Sequence, residues 1–413
     1  MNRIILMRDT YNGEQPLVMH VDLNSAFATI EQQSRPMLRG RPVAVVNRRT
    51  TNTSIVTASY EAKAKGVKVG MKFVEAMKLV PGIVAIESDP SKYRFVYRKL
   101  MTIMNDYSPN VVMKSIDEGI IDFHGIPNLR PLIDIGYEIK ERLKDEVGCA
   151  MRCNVGIGPS RFLAKTAAGL HKPDGLDLMN ADNLRATYEK MKLTDLTGIA
   201  GQMEKRLNAV NIFTPIQFLD ADVVSLQKVV FKSIIGKHWY ERLRGYEVDD
   251  RLIETKTIGR QYVLEDRGLT HSQISARLHY LCESVGSRLR SQNKIARGVY
   301  IHVRTIDRKY WHACQMCQMP FSSNSSINSL AQQLFLKAPG RVQEIGIRCY
   351  ALSDKNHSQM SIFYDEIARE QDLVNSIDYI NGRFGDGTVH SADTLNAKKL
   401  IKQKISFGST QYL

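Results

Sequence analysis

Apolar positions along this chain fall into short blocks whose spacing switches between the two-residue period of strands and the 3.6-residue period of helices. Residues 17–23 (Leu-Val-Met-His-Val-Asp-Leu) read as a buried strand that ends at Asp22, and 25–34 follow as a helix with Ser25 as its N-cap. Short apolar strands at 43–46 and 54–58, separated by a polar turn, precede an Ala/Lys/Glu-rich helix at 59–65 and read as a small inserted subdomain. Helical spacing recurs at 93–108, 132–147 and 162–170, with strand-like runs at 111–114, 119–123 and 151–157 between them. That alternation predicts a mixed sheet carrying helices on one face.

From 181 to 245 the pattern is helical with short loops. Leu196-Thr-Gly-Ile-Ala-Gly201, followed by Met203 to Val210, resembles a helix-hairpin-helix. In such a turn Gly198 and Gly201 let backbone N–H groups approach a DNA phosphate. A purely structural hairpin fits the same residues, because the usual Gly-Ile-Gly turn is here Gly-Ile-Ala-Gly. Polar residues at Asp249-Asp250-Arg251 and Glu254 mark a linker. Beyond it strands are expected at 299–304, 309–316 and 344–352, helices at 272–290 and 326–336, and a further helix from Tyr364 to Phe384 in the tail. The length of 413 residues calls for two to four domains.

A hydrophobic fraction of 43% with 24% charged residues excludes wholesale disorder, and no apolar run approaches a membrane span. Ile4-Ile5-Leu6-Met7 is too short for a signal-peptide core and is closed off by Arg8-Asp9, so a cytoplasmic protein is expected, with no membrane partner. The formal charge of +14 points to a polyanionic partner. Its distribution is more telling: residues 251–353 hold 15 Lys/Arg against 6 Asp/Glu, whereas 354–413 hold 7 against 8. Cys314 and Cys317 form a lone Cys-x-x-Cys without a second pair at zinc-ribbon spacing, and scattered thiols fit a reducing compartment.

Chemistry concentrates at Asp117-Glu118, set in Ser-Ile-Asp-Glu-Gly-Ile-Ile-Asp (115–122), and at Asp22 far upstream. Adjacent acids in an apolar, β-branched stretch are costly to bury without partners, and divalent cations are natural partners for three hard carboxylates on neighbouring strands. A pair of such ions is the arrangement used for phosphoryl transfer. A strand end with solvated acids is the alternative for the dipeptide alone.

The set Val21–Glu31, Thr57-Ala-Ser-Tyr-Glu-Ala-Lys63, the Ser-Ile-Asp-Glu element, Asn154-Val-Gly-Ile-Gly158 and Lys172-Pro-Asp-Gly175 resembles the Y-family (translesion) DNA polymerases in order and spacing. The resembling branches are bacterial DNA polymerase IV and the catalytic subunit of polymerase V. It covers 17–245 with specific motifs and extends more weakly to 353. The resemblance implies an α+β right-hand fold: palm at 1–30 and 81–180, fingers at 31–80, a helix-hairpin-helix thumb at 181–250, a DNA-binding little finger at 251–353, and a tail at 354–413. It implies that Asp22, Asp117, Glu118 and the Leu23 carbonyl hold two Mg²⁺ ions, with Mn²⁺ as a possible substitute. The reaction implied is attack of a primer 3′-hydroxyl on the α-phosphate of a deoxynucleoside triphosphate.

The same resemblance gives Tyr60 and Lys172 to the triphosphate, together with Lys63, where many relatives carry arginine and its bidentate contact. Phe27 falls where the family places the aromatic gate against a 2′-hydroxyl, although a core phenylalanine also fits the pattern. Asn24 departs from the acidic or aromatic residue common at its position, while small Ser25 and Ala26, with Ser54, Val56 and Thr57, leave an open roof over the nascent base pair. Arg260, within Thr257-Ile-Gly-Arg260, and Arg267, Arg288, Arg290, Arg297, Arg304 and Arg308 are candidate phosphate contacts. Gln359, Ile362 and Phe363 resemble a peptide that docks on the sliding clamp, with packing of the tail as the alternative. A monomer is expected. Two rivals stand beside the active polymerase: a catalytically silent DNA-binding adaptor on the same scaffold, and a palm-fold nucleotide cyclase.

Overall fold

A computed structural model of the chain describes residues 11–250, 254–264, 266, 268–355, 364–385, 387–395 and 401, and within the helix at 364–384 the side chains from 372 onward. Two compact units divide at residues 251/252.

The first unit contains strands β1 (Val18–Leu23), β2 (Val43–Val46), β3 (Ile55–Ala58), β4 (Val84–Glu87), β5 (Val111–Met113), β6 (Glu118–Asp122), β7 (Cys153–Gly158) and β8 (Leu176–Leu178). Five of them form one sheet in the order β5-β6-β1-β7-β8, antiparallel except for the β7/β8 pair. Period-two alternation in β1 sends Met19, Val21 and Leu23 to one face, where Leu100, Ile103 and Met104 of helix Pro90–Asn105 and Ile135, Ile139 and Leu143 of helix Leu132–Glu146 complete a buried core. The opposite set, Val18, His20 and Asp22, shares its face with Glu118 and Ile120, because Asp22 is paired with Glu118 and His20 with Ile120. This register is what assembles two distant carboxylates.

Helices do not keep to one face, contrary to the sequence expectation. Helix Arg161–Ala167 covers part of the second face, where Ala164 packs on Val18 and Ile120. The close approach needs glycine: a Cβ on Gly156 would lie 2.0 Å from the Ala164 carbonyl oxygen. Strands β4 and β8 and helix Phe73–Leu79 were not anticipated. They are too short or too polar to show a period.

The inserted subdomain is a separate sheet, β3-β2-β4, whose core of Ala44, Val46, Ile55, Ala58 and Ala62 is closed by helices Tyr60–Ala64 and Phe73–Leu79. A helical bundle follows, built on helices Leu184–Glu189, Gly201–Asn208, Pro215–Asp220 and Ile235–Leu243 around Trp239, Phe218 and Phe231.

The second unit is one antiparallel sheet in the order β11-β10-β12-β9, made of β9 (Thr257–Val263), β10 (Lys294–Thr305), β11 (Tyr310–Phe321) and β12 (Val342–Asp354). Helices His271–Ser291 and Asn324–Phe335 cover one face through Leu278, Leu281, Val285, Ile327 and Phe335. The run Thr257-Ile-Gly-Arg260 is thus part of a strand. Gly259 is required there, since a Cβ would stand 2.7 Å from both the Ile347 carbonyl oxygen and the Arg348 Cβ. The tail helix runs from Tyr364 to Phe384. Among the described residues no helix is long and apolar enough to cross a membrane.

Candidate active site

The end of β1 and the start of β6 carry the acids. Leu23 N–H donates to the Asp117 carbonyl at 2.8 Å, while Lys114 and Ser115 N–H groups donate to the Glu118 carbonyl, so a tight turn holds 115–118 against the end of β1. Burial raises the Asp117 carboxyl above its ordinary value, with the negative charges of Asp22 and Glu118 adding to the rise and the Ser115 hydroxyl, which donates to Asp117, opposing it. Burial pushes Glu118 in the same direction, yet it ends at about 2, because the bonds and charges of His20 and Lys165 outweigh desolvation. Lys165 Nζ donates to both carboxylate oxygens, at 2.9 and 2.7 Å, and His20 Nε2 lies 3.3 Å away at 1% exposure. Asp22 is ion-paired with Lys172.

A cationic pocket adjoins the acids. Lys63 Nζ donates to Ser25 Oγ at 2.7 Å and lies 4.8 Å from the centre of the Tyr60 ring. Partial burial and then the charge of Lys172 hold Lys63 below the ordinary lysine value, with Asp22 opposing. Burial raises Tyr60, while Lys172 and hydrogen bonds to Ser25 and Asn24 pull the other way. Ser25, Tyr60, Lys63, Lys172 and Asp22 therefore surround one space, where two ammonium groups and a phenol face a carboxylate. Ser25 does stand at the N-cap of helix Ala26–Ser34, but in the left-handed region (φ 47°) and without a side-chain cap bond. Its hydroxyl is turned to Lys63 instead.

Phe27 is 5% exposed and stacks on Tyr93, ring centres 4.3 Å apart, and the Tyr93 hydroxyl donates to fully buried Glu31. Ala26 is buried beside it, and Thr57 is half-buried on β3. Asn24 Nδ2 donates to Asn154 Oδ1 at 2.7 Å and its Oδ1 accepts from Asp174 N–H at 2.8 Å, which ties it to the loop after Lys172. Among the described residues no three His, Cys, Asp or Glu side chains are arranged to hold a metal ion. The three acids remain a hard-oxygen donor set fit for a divalent cation. Lys165 and Lys172 hold Glu118 and Asp22 in ion pairs.

At the hairpin Gly198 adopts φ 98°, with the Trp239 ring 3.2 Å from where its Cβ would be, and Gly201 opens helix Gly201–Asn208 with free space around it. A cleft of about 400 Å³ runs from Glu118, Lys165, Lys114 and Arg161 to Thr197, Gly198 and Arg242. It joins Glu118 to the hairpin, which the sequence left unconnected. His20 and Lys165 were also missed. The position of His20 two residues before Asp22 put it on the same face, but nothing in the sequence tied Lys165 to Glu118.

In the second unit Arg304 and Arg308 are exposed, as is Arg297, which donates to the Cys317 carbonyl. Arg260 bonds the Ser284 hydroxyl and lies over Tyr280, and Arg288 donates to the Gly259 carbonyl. Arg290 departs from its expected role. It is 8% exposed and spent on Asp378, the Ser322 carbonyl and Asn324, tying the tail helix to helix His271–Ser291. Arg267, Gln359, Ile362 and Phe363 lie outside the described residues. Missed on the open sheet face were the stacked rings of Tyr300, His302, Tyr310 and His312, with Arg348 over Tyr300 at 4.6 Å. Their alternation along β10 and β11 was the available signal.

A family model described as the impB/mucB/samB family matches residues 21–169, and one for the C-terminal domain of that family matches 255–362. DNA polymerase IV of Pelotomaculum thermopropionicum is 30% identical over 94% of this chain and 97% of its own length, and DNA polymerase IV 1 of Bacillus subtilis is 26% identical over 96% and 97%. A chimeric Y-family DNA polymerase built on Dbh superposes with a TM-score of 0.69 at 21% identity, over 82% of this chain and 99% of that one. An insertion ternary complex of Dbh DNA polymerase gives 0.59 at 22%, over 81% and 98%.

The perturbed acids have opposite consequences for stability. Glu118, depressed from 4.5 to about 2, contributes stability that is present above about pH 4.5 and is lost as the pH falls toward 2. Asp117, raised, contributes most when protonated and loses that contribution as the pH rises through its folded value. Glu118→Gln is therefore expected to flatten the acid limb of unfolding free energy against pH, read by urea titration. An unchanged limb would show that Lys165 and His20 do not anchor Glu118.

Proposed function

The chain belongs to the impB/mucB/samB family, the Y-family DNA polymerases, and on that premise we propose that it is a template-directed, low-fidelity translesion polymerase working at the site described above. The observation that carries the reading is the juxtaposition of three carboxylates, two of them register-paired, with a Lys63-Lys172-Tyr60 pocket. The five-stranded sheet with its helices serves as the palm (1–30 and 81–180), the inserted sheet as the fingers (31–80, extended by β4 at Val84–Glu87, which pairs with β2), the bundle as the thumb (181–250) and the second unit as the little finger (251–353).

Two Mg²⁺ ions, or Mn²⁺ in their place, held by Asp22, Asp117, Glu118 and the Leu23 carbonyl, supply Lewis-acid activation of the attacking oxygen and charge neutralisation on the phosphates. The chain's own groups do the rest. Lys172 leaves Asp22 for the triphosphate, so nucleotide arrival frees a carboxylate at the moment it is needed. Lys63 and the Tyr60 hydroxyl grip the same phosphates, and Phe27, fixed by its stack on Tyr93, closes the space where a 2′-hydroxyl would lie. The primer 3′-oxygen forms the new bond to the α-phosphorus and pyrophosphate leaves with the broken one. Primer phosphates lie along the cleft toward Gly198 and Gly201, and exposed Arg297, Arg304 and Arg308 hold the duplex. The protein acts as a monomer in the cytoplasm. The adaptor reading has no support in a chain that keeps every acid.

Asp117→Ala and Glu118→Ala are each expected to abolish primer extension while leaving primer-template affinity within about twofold, because the acids serve the chemistry and the basic surfaces hold DNA. Extension at the wild-type rate by either variant would sink the assignment. Phe27→Ala is expected to admit ribonucleotides, read as the ratio of deoxy- to ribonucleotide incorporation. An unchanged ratio in an active variant would make Phe27 a core residue only. Docking of Gln359, Ile362 and Phe363 on a sliding clamp predicts that the triple alanine variant loses stimulation by loaded clamp yet keeps its clamp-free activity. Equal stimulation of mutant and wild type would leave those residues a packing role.

A further inference from the structure

Lys172 sits on a loop that is held from several sides, and the strongest hold comes from a buried lysine with no place in the reaction as described. Lys140, on helix Leu132–Glu146, has a side chain only 7% exposed. Its Nζ lies 3.0 Å from the Asp174 carboxylate and donates to the Asp174 and Gly175 carbonyls. Arg152 reaches the other Asp174 oxygen at 3.4 Å. Asn24 accepts from Asp174 N–H, and Asn154, which Asn24 bonds, donates to the His171 carbonyl at 3.1 Å. Asp174 itself stands in the left-handed region at φ 61°, and a Cβ on Gly175 would lie 2.2 Å from the His171 carbonyl oxygen. A loop so strained keeps one shape only where its surroundings over-determine it.

A buried ammonium needs acceptors and a counter-charge, and here one two-residue stretch supplies both: the Asp174 and Gly175 carbonyls accept from Lys140 and the Asp174 carboxylate is its ion-pair partner. From this we infer that Lys140 is a positioning residue for Lys172: by fixing Asp174 and Gly175 it sets where the Lys172 ammonium meets the nucleotide phosphates. Lys140 touches neither substrate nor carboxylates of the reaction. It acts through the loop, and Asn24 and Asn154 fasten the same loop to the ends of β1 and β7. The inference rests on the triphosphate role given to Lys172 above.

The test uses the full-length protein with a primer-template whose next template base is thymine, and dATP as nucleotide. Lys140→Met is expected to raise KM for dATP by about tenfold, the factor that corresponds to losing one hydrogen bond to a charged group. Its kcat and primer-template affinity should stay within about twofold, the signature of lost nucleotide binding. Lys140→Arg, which keeps the charge and the donors, should restore most of the loss. Asp174→Asn removes the carboxylate without touching the buried lysine, and carries the same expected rise in KM if Lys140→Met fails to fold. An unchanged KM in the folded variant, or a fall in kcat, DNA affinity and thermal stability together with KM unmoved, would overturn the inference and leave Lys140 a fold-stabilising residue. Calorimetric titration of dATP into each protein reads the same difference without turnover. A wild type that binds dATP but extends no primer would therefore strike the polymerase reading, while the Lys140 comparison still stands or falls by its own numbers.

Discussion

Negative charge gathered at the ends of two paired strands is the constraint around which the first unit is organised. Antiparallel register sets Asp22 opposite Glu118, and a tight turn adds Asp117 beside them. Burial raises the Asp117 carboxyl, and the charges of Asp22 and Glu118 add to the rise. The fold answers with cations drawn from separate elements: Lys165 from a helix on the open face, Lys172 from a loop after it, and Lys63 from the inserted subdomain. Each reaches the site along a different path. In the proposed reaction Lys172 and Lys63 serve the nucleotide phosphates as well as balancing the acids at rest.

Much of this was legible in the sequence because strand periodicity and family motifs are both local signals. Asp22 at the end of a strand and the Asp-Glu pair in a β-branched run were legible, though not the register that sets Asp22 opposite Glu118, and Tyr60, Lys63 and Lys172 lie in short motifs of fixed spacing. The helices at 271–291 and 324–335 showed their periods, since each has one apolar stripe against one sheet. Contacts between side chains distant in sequence were not legible. Lys165 reads as an ordinary helix lysine until the Gly156 packing brings its helix onto the sheet. Arg290 reads as a phosphate ligand until the tail helix supplies Asp378. Ser25 illustrates a third kind of miss: a good N-cap residue was placed at the right position, but the hydroxyl found a stronger partner in a lysine than in a backbone amide.

Composition assigned the basic surplus to the second unit as a whole, while the structure divides it by use. Some arginines are spent inside: Arg290 on the tail helix, Arg288 on a β9 carbonyl. Others stay at the surface, near an open sheet face that carries four stacked rings. A charge count therefore overstates the number of groups free to meet a polyanion.

Helix Arg161–Ala167 belongs to two cores at once. Ala164 packs on the sheet with Val18 and Ile120, while Phe162, Leu163 and Ala167 pack into the helical bundle, where Phe162 meets Trp239 edge-on at 5.6 Å. The same seven residues present Lys165 to Glu118. The bundle that carries the hairpin and the strand that carries the acid are thus geared through one short rod, seated on glycine with no slack to slide. One seven-residue helix therefore sets both the seating of the bundle on the sheet and the place of the ammonium beside Glu118.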